Sequence, residues 1–331
     1  GMSLYRAEIS GPLKENKMRP RIAETAKALW LIYASLTLLC AFAYWLAGMS
    51  TFDAISHSFS TVSIGGFSTH DSSMAYFNSP AVNLITVAFL LISACNYALH
   101  FNAFSNLGKR NIFVSYFRDP EFRFFMFIQI ALVTICFFML LTNHHFDGTF
   151  KNLEQAAFQS VSISTTAGYT TSSFDQWPLF LPILLLFASF IGGCAGSTGG
   201  GLKVIRILVL SLQGKRELKR LIHPNLVYPI KLGKRVLDER VIQSIWAFFS
   251  AYLLVFVACL LGVISCGVET FDAFNAVIAC LNNLGPGLGS VSSNFVSIPD
   301  SAKWILTLTM VCGRLEIFSL LVLFTPAFWK S

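Results

Sequence analysis

The feature that most constrains this chain is a near-repeat. Thr51-Phe52-Asp53-Ala54 begins a segment that runs into Ser63-Ile64-Gly65-Gly66-Phe67. Thr270-Phe271-Asp272-Ala273, 219 positions later, begins another that runs into Asn282-Asn283-Leu284-Gly285-Pro286, with the same distance from the Thr to the central Gly. A looser copy lies between them: Ala156-Ala157-Phe158, then Ser164-Thr165-Thr166-Ala167-Gly168-Tyr169-Thr170-Thr171. Each copy predicts a short helix, roughly Phe52–Thr61, Asn152–Ile163 and Phe271–Leu281, followed by an extended stretch rich in hydroxyls and glycine. At about 1.5 Å per residue, such helices reach about halfway through a bilayer.

The flanking sequence makes a bilayer the natural solvent. Of 331 residues, 54% are hydrophobic and 12% charged, about half the charge of a soluble domain. Six apolar runs are long enough to cross about 30 Å of hydrocarbon: Ala28–Gly48, Pro80–Gly108, Phe124–Asn143, Trp177–Leu202, Val241–Val268 and Trp304–Trp329. Unpaired backbone cannot face lipid, so three half-helices that each return through extended chain require a shared wet centre. A Gly in each return tolerates positive φ. The surrounding hydroxyls and carbonyls suit a cation that sheds its water. Half-helices aimed C-terminus first at the centre add favourable negative potential.

Charge placement gives a sidedness. Six basic residues precede the first run, four separate the second from the third, and ten lie between Lys203 and Arg240. The opposite connections, 49–79, 144–176 and 269–303, hold only Lys151 and Lys303. The positive-inside rule then puts the basic linkers in the cytoplasm and the three Gly-bearing segments outside. This asymmetry accounts for the +7 net charge. The basic clusters carry no interleaved stacking aromatics, which argues against a nucleic-acid partner. The eight cysteines fall mostly inside apolar runs without a C-x-x-C pair, and read as packing residues.

The fold class expected is an all-α polytopic membrane protein of three M1–pore helix–M2 repeats, with six spans and three re-entrant filters. Its boundaries are a linker 1–24, a repeat 25–108, a linker 109–121, a repeat 122–213, a basic linker 214–239 and a repeat 240–331. The start of the chain reads as an internal loop, as in a fragment of something longer.

Two features fall inside the apolar runs. Gly192-Gly193-Cys194-Ala195-Gly196-Ser197-Thr198-Gly199-Gly200-Gly201 holds six glycines in ten residues. At roughly 1 kcal/mol per Gly against Ala, this is poor helix, and it reads as a broken helix with an intramembrane loop beneath the filters. Close helix packing through small residues is the alternative. Gly201-Leu202-Lys203 lacks the ending of a phosphate-binding P-loop. Arg314 lies midway along the sixth run, too deep to snorkel, so it either pairs structurally or faces a cavity. His100 reads as a satisfied core histidine. A membrane-embedded enzyme would need Ser197 and His100 as its pair, and no motif supports them.

These residues resemble a known family. The segments 57–70, 162–170 and 282–287, together with 192–203, are similar to the TrkH subunits of bacterial Trk potassium uptake systems, in the superfamily that includes KtrB and plant HKT transporters. The resemblance covers essentially the whole chain. It implies a four-repeat pore of which this chain holds the second to fourth repeats, with potassium as the transported ion and no bound cofactor. It implies filter residues Ser63, Ile64, Gly65, Gly66, Thr165, Thr166, Ala167, Gly168, Asn283, Leu284 and Gly285. The implied gate is Gly192, Gly193, Gly196, Ser197, Thr198, Gly199, Gly200, Gly201 and Arg314. The implied partners are a second copy of the subunit, as a homodimer, and a cytosolic nucleotide-binding TrkA-type subunit. The implied location is the bacterial plasma (inner) membrane. A chain with three repeats could also be a non-conducting fragment.

Overall fold

A computed structural model describes residues 22–105, 112–226, 228–233, 235–315, 317–323 and 326–329. Among the described residues, three helices are long and apolar enough to cross a membrane: α1 (Ile22–Leu46), α6 (Pro120–Thr142) and α10 (Glu239–Ser265). Their 23 to 27 residues extend about 35–40 Å at 1.5 Å per residue. Each buries one narrow stripe. In α6 this stripe is Glu121, Phe125, Gln129, Leu132, Cys136 and Leu140, a spacing of three and four that keeps one face inward. Phe127, Ile130 and Phe138 on its other faces are exposed, as suits lipid.

Three short helices show the inverse pattern. They are α2 (Thr51–Val62), α7 (Thr149–Ser164) and α11 (Thr270–Leu281). Every residue of α7 from Phe158 to Ser164 is buried, and so is every residue of α11 from Asn275 to Leu281. Each short helix packs between two flanking ones: α2 between α1 and α3 (Pro80–Ser93), α7 between α6 and α8 (Leu181–Ala188), and α11 between α10 and α12 (Asp300–Arg314). The three groups are joined in chain order by contacts of α3 with α7 and of α8 with α11. Helix α2 is capped by Ser50, whose side chain accepts from the Asp53 N–H. The short helices begin one to three residues before the sequence expectation and end within one.

The second, fourth and sixth apolar runs are not single helices. After α3 the chain turns by 89° into α4 (Tyr97–Ser105). After α8 it stays non-helical from 189 to 203 and then enters α9 (Val204–Ile222). The α12 helix ends at Arg314, with Leu315 as its cap, and α13 covers Phe318–Leu323. So three runs of the six stand as full-length helices, and a fourth does so only if the bent pair α3–α4 counts as one. The Gly-rich composition explains the fourth run. The α3–α4 turn contains neither Pro nor Gly and is held by its partners, described below. Helix α5 (Ile112–Arg118) leads into α6 through Asp119, whose carboxylate accepts the Phe122 N–H at 2.8 Å. Among the described residues the only strands are a two-residue hairpin, β1 (Lys231–Leu232) and β2 (Arg235–Val236), in the basic connection before α10. Helix α14 (Pro326–Trp329) closes the described chain.

Candidate functional site

The C-termini of α2, α7 and α11 end in the same turn. Ser63, Thr165 and Asn282 keep helical torsions as caps. Ile64, Thr166 and Asn283 follow at φ 55°, 69° and 56°. The next N–H then reaches back five residues: Gly65 to Ser60 O at 2.7 Å, Ala167 to Ser162 O at 2.8 Å and Leu284 to Ala279 O at 2.8 Å. The residue before it reaches back three, from Ile64 to Thr61 O, Thr166 to Ile163 O and Asn283 to Cys280 O. These two bonds define a Schellman turn, whose left-handed position normally takes Gly. Here it takes two β-branched residues and an Asn. Left-handed backbone costs an L-residue about 1–2 kcal/mol. Strain of this kind clusters where the surrounding structure has a use for it.

Each turn throws the chain back as an extended stretch with a Gly at positive φ: Gly66 (69°), Gly168 (81°) and Gly285 (98°). The stretches stand side by side. A methyl on Gly66 would lie 1.8 Å from the Ala167 carbonyl oxygen, and one on Gly168 would lie 2.0 Å from the Leu284 carbonyl oxygen. A methyl on Gly285 would meet nothing within 4 Å. Ser63–Gly66, Ala167–Gly168 and Asn283–Gly285 line one cavity of about 1070 Å³ that also touches Arg314. Of the expected filter residues, Thr165 and Thr166 do not line it. Both are buried, Thr165 with its hydroxyl bonded to Val161 O at 2.7 Å.

A side-chain staple repeats with the turns. Asp53, Gln155 and Asp272 each lie 13 residues before the Gly of their repeat. Each accepts a hydroxyl from the chain returning past its Gly: Thr69 at 2.6 Å, Thr171 at 2.7 Å and Ser290 at 2.5 Å. Hydrogen bonds from Thr69 and Ser50 hold the Asp53 carboxyl below the usual carboxylate range. Behind the first and second turns, the Tyr44 hydroxyl bonds Thr61 at 2.9 Å and Thr86 at 2.8 Å, and Ser162 donates to Tyr169 O at 2.7 Å. Behind the third, Asn282 accepts from Tyr252 and donates to Ser189 Oγ at 2.8 Å.

The Gly-rich loop lies across the three helix ends. Thr198 donates to Val62 O at 2.9 Å, and the Gly200 N–H donates to Thr166 Oγ1 at 2.7 Å. Gly199 and Gly200 pass so close to Thr165 O and Asn282 O that a methyl would lie 3.0 and 2.2 Å from them. Two cations also hold the loop. Arg314 Nη1 donates to Thr198 O at 3.1 Å, and Lys203 Nζ donates to Gly199 O. The side chain of Glu316 lies outside the described residues.

The 331 residues match the model of the TrkH family, described as a cation transport protein, from residue 1 to residue 331. The chain belongs to the TrkH family. It is 64% identical over its full length to the Trk system potassium uptake protein TrkH of Vibrio parahaemolyticus, of which it covers 68%. It is 61% identical over its full length to the corresponding TrkH of Escherichia coli K12, again covering 68%. The crystal structure of the potassium transporter TrkH from Vibrio parahaemolyticus superposes with a TM-score of 0.90 at 62% identity, over 96% of this chain and 68% of that one. The helical, membrane-type fold is therefore that of TrkH proteins.

Seen as a TrkH chain, the remaining sequence candidates sort readily. Both ring nitrogens of His100 are engaged, Nδ1 with the Tyr116 hydroxyl at 2.6 Å and Nε2 with Ile92 O at 3.0 Å. Ser197 donates to Cys194 O at 2.6 Å, so the two residues do not form the pair an enzyme would use. Gly192, Gly193, Gly196 and Gly201 shape the loop's entry and exit, with Gly192 packed against Gly200 O. The sequence reading missed Lys203, Glu121 and the Asp53, Gln155 and Asp272 staples. The repeated Thr-Phe-Asp-Ala held the clue to two of the staples.

Proposed function

We propose that this chain forms three walls of a potassium pore in the bacterial plasma membrane and belongs to the pore-forming subunit of a Trk-type uptake system. The observation that carries this reading is the threefold recurrence of one strained turn, each copy delivering carbonyl-bearing backbone to a single cavity. Backbone oxygens in such an array replace the hydration shell of a cation, and three helix C-termini contribute negative potential. The relatives are named as potassium uptake proteins, which fits K+ as the cargo. The filter consists of 63–66, 167–168 and 283–285. Thr165 and Thr166 support it from behind.

In this reading the repeats are 25–108, 122–213 and 240–331. The basic linkers 1–24, 109–121 and 214–239 lie in the cytoplasm, and the filters open outside. The open side of Gly285 faces a fourth wall from the same subunit. The Gly192–Gly201 loop, held by Arg314 and Lys203, is the gate: it covers the inner end of the filter and brings positive charge to the ion path. A cytosolic TrkA-type subunit moves it from the basic face, and the subunit works as a homodimer without a cofactor of its own.

The test is rubidium uptake in cells lacking potassium uptake systems. It compares the 331-residue chain alone, the same chain within a four-repeat subunit, and that subunit with Gly168→Asp. The expected result is uptake by the four-repeat subunit only. Uptake unaffected by Gly168→Asp would overturn the filter assignment.

A further inference from the structure

The loop is fastened at a second place, away from the filter. Cys194 N–H donates to Ala94 O at 2.8 Å, and Gly196 O accepts from Tyr97 N–H at 3.2 Å. This pairs the loop's first half with the turn between α3 and α4. Between those bonds, the Ala195 N–H donates to Glu121 Oε1 at 2.6 Å. Glu121 is the second residue of α6 and is 2% exposed. Its other oxygen is also buried and makes no hydrogen bond among the described residues. The carboxyl sits near Asp119 as well as the Lys203 ammonium and the Ile205 N–H, beside the N-terminus of α9. A buried carboxylate is costly unless its partners hold it. Glu121 thus joins the loop's middle to its exit.

Glu121 also belongs to a rigid corner at the basic linker between the first two repeats. Tyr116 of α5 bonds His100 of α4 and packs its ring 5.3 Å from that of Phe122 on α6. His100 in turn holds Ile92 O at the end of α3. The α5–α6 corner therefore grips the loop twice, directly through Glu121 and indirectly through the α3–α4 turn. Neither contact touches the filter.

We propose that Glu121 is the positioning residue that latches the loop: displacement of the α5–α6 corner by a partner on the basic face withdraws its carboxylate from Ala195 and frees the loop. The proposal rests on the loop being the gate. A hydrogen bond from a backbone N–H to a buried carboxyl oxygen is costly to leave unmade. Its release next to a Gly-rich segment leaves little intrinsic order to hold the closed form.

The experiment uses the full-length subunit in proteoliposomes, with rubidium flux measured with and without its cytosolic partner. Glu121→Ala is expected to raise partner-independent flux about fivefold, the scale on which one hydrogen bond shifts a two-state equilibrium, and to bring the stimulated-to-basal ratio toward one. Glu121→Gln keeps an acceptor oxygen and retains most of the wild-type ratio. Glu121→Asp, which keeps the carboxyl but withdraws it by one methylene, raises basal flux to a smaller extent and covers the case in which the Ala variant fails to assemble. A residue with only a structural role would lower both fluxes and leave their ratio unchanged. A shortened loop lacking Gly199 and Gly200 serves as the control for the gate itself. If that deletion raises basal flux while folded Glu121→Ala and Glu121→Asp keep the wild-type ratio, the latch is refuted and the gate stands. If neither the deletion nor the Glu121 variants raise basal flux, both readings fall.

Discussion

The filter side and the basic side of this molecule follow different rules. On the filter side the three repeats make the same bonds: the same back-reaching N–H groups, the same left-handed residue, the same staple from Asp53, Gln155 or Asp272. On the basic side each repeat breaks its second helix differently: a sharp bend after Ser93, fifteen non-helical residues from 189 to 203, and a short interruption after Arg314. On the proposed reading, a site that surrounds an ion needs equivalent walls, which fits the duplication kept there. A gate needs one movable part and fixed neighbours to hold it, which fits the divergence of the copies. The left-handed residues join the two sides. Ile64 is buried in the core, and Thr166 accepts the Gly200 N–H. A Gly at either place would relieve strain but lose that work.

The largest expected effect breaks the equivalence of the walls. Gly168→Ala puts a Cβ onto the Leu284 carbonyl. Uptake by the full subunit should fall at least about a hundredfold, since overlap and forced φ together cost several kcal/mol. Gly285→Ala should be equally harmful if a fourth wall abuts it; wild-type uptake in that variant would show the third wall to be unpaired.

Next come changes on the basic side. Arg314→Ala removes the donor to Thr198 O, and basal rubidium flux should rise about tenfold, with unchanged or lower flux at normal expression counting against the gate. Thr166→Val keeps the volume but not the acceptor for Gly200. Its basal flux should rise about threefold, in line with one neutral hydrogen bond, without change in the preference for potassium over sodium.

The smallest effect belongs to the staples. Asp53→Ala should lower the potassium-over-sodium preference about threefold, again one hydrogen bond, while Asp53→Asn preserves it. The depressed Asp53 carboxyl gives the sign with pH. Its stabilisation is fully present above the ordinary value of about 3.9 and is lost as external pH falls through the lower folded value. Selectivity should therefore stay flat from pH 8 to about pH 5. A titration centred near pH 6 would remove Asp53 from the account.

Much of the filter side was legible in the sequence because duplication writes it three times. The short helices were found to within three residues from the half-length segments alone. The Gly run announced a break because no helix tolerates that composition. What stayed hidden was tertiary. Ser93-Ala94-Cys95-Asn96 carries no Pro or Gly; its local signal is Asn96, whose Oδ1 accepts the Ala98 N–H at 2.8 Å as the cap of α4, while Ala94 O and the Tyr97 N–H find partners in the loop. Glu121 looks like any acid in the first turn of a helix, and Lys203 is one of ten basic residues in its stretch. Their roles come from where the chain folds them, and no local pattern marks them. The third staple pairs Asp272 with Ser290 across a spacing two residues longer than Asp53 to Thr69, which hides the match from simple alignment.

The loop's complete set of partners has a consequence for solvent. With the loop in place, Thr198 O, Gly199 O and the Gly200 N–H are all satisfied by protein. Once it swings away, these groups and the helix-end carbonyls it covered must be hydrated, because bare backbone is not tolerated at that depth. On the proposed reading of the loop as the gate, opening is a wetting event that draws water into the space under the filter. Solutes too large to enter should oppose it by osmotic stress, so the open fraction would report how many water molecules the gate admits.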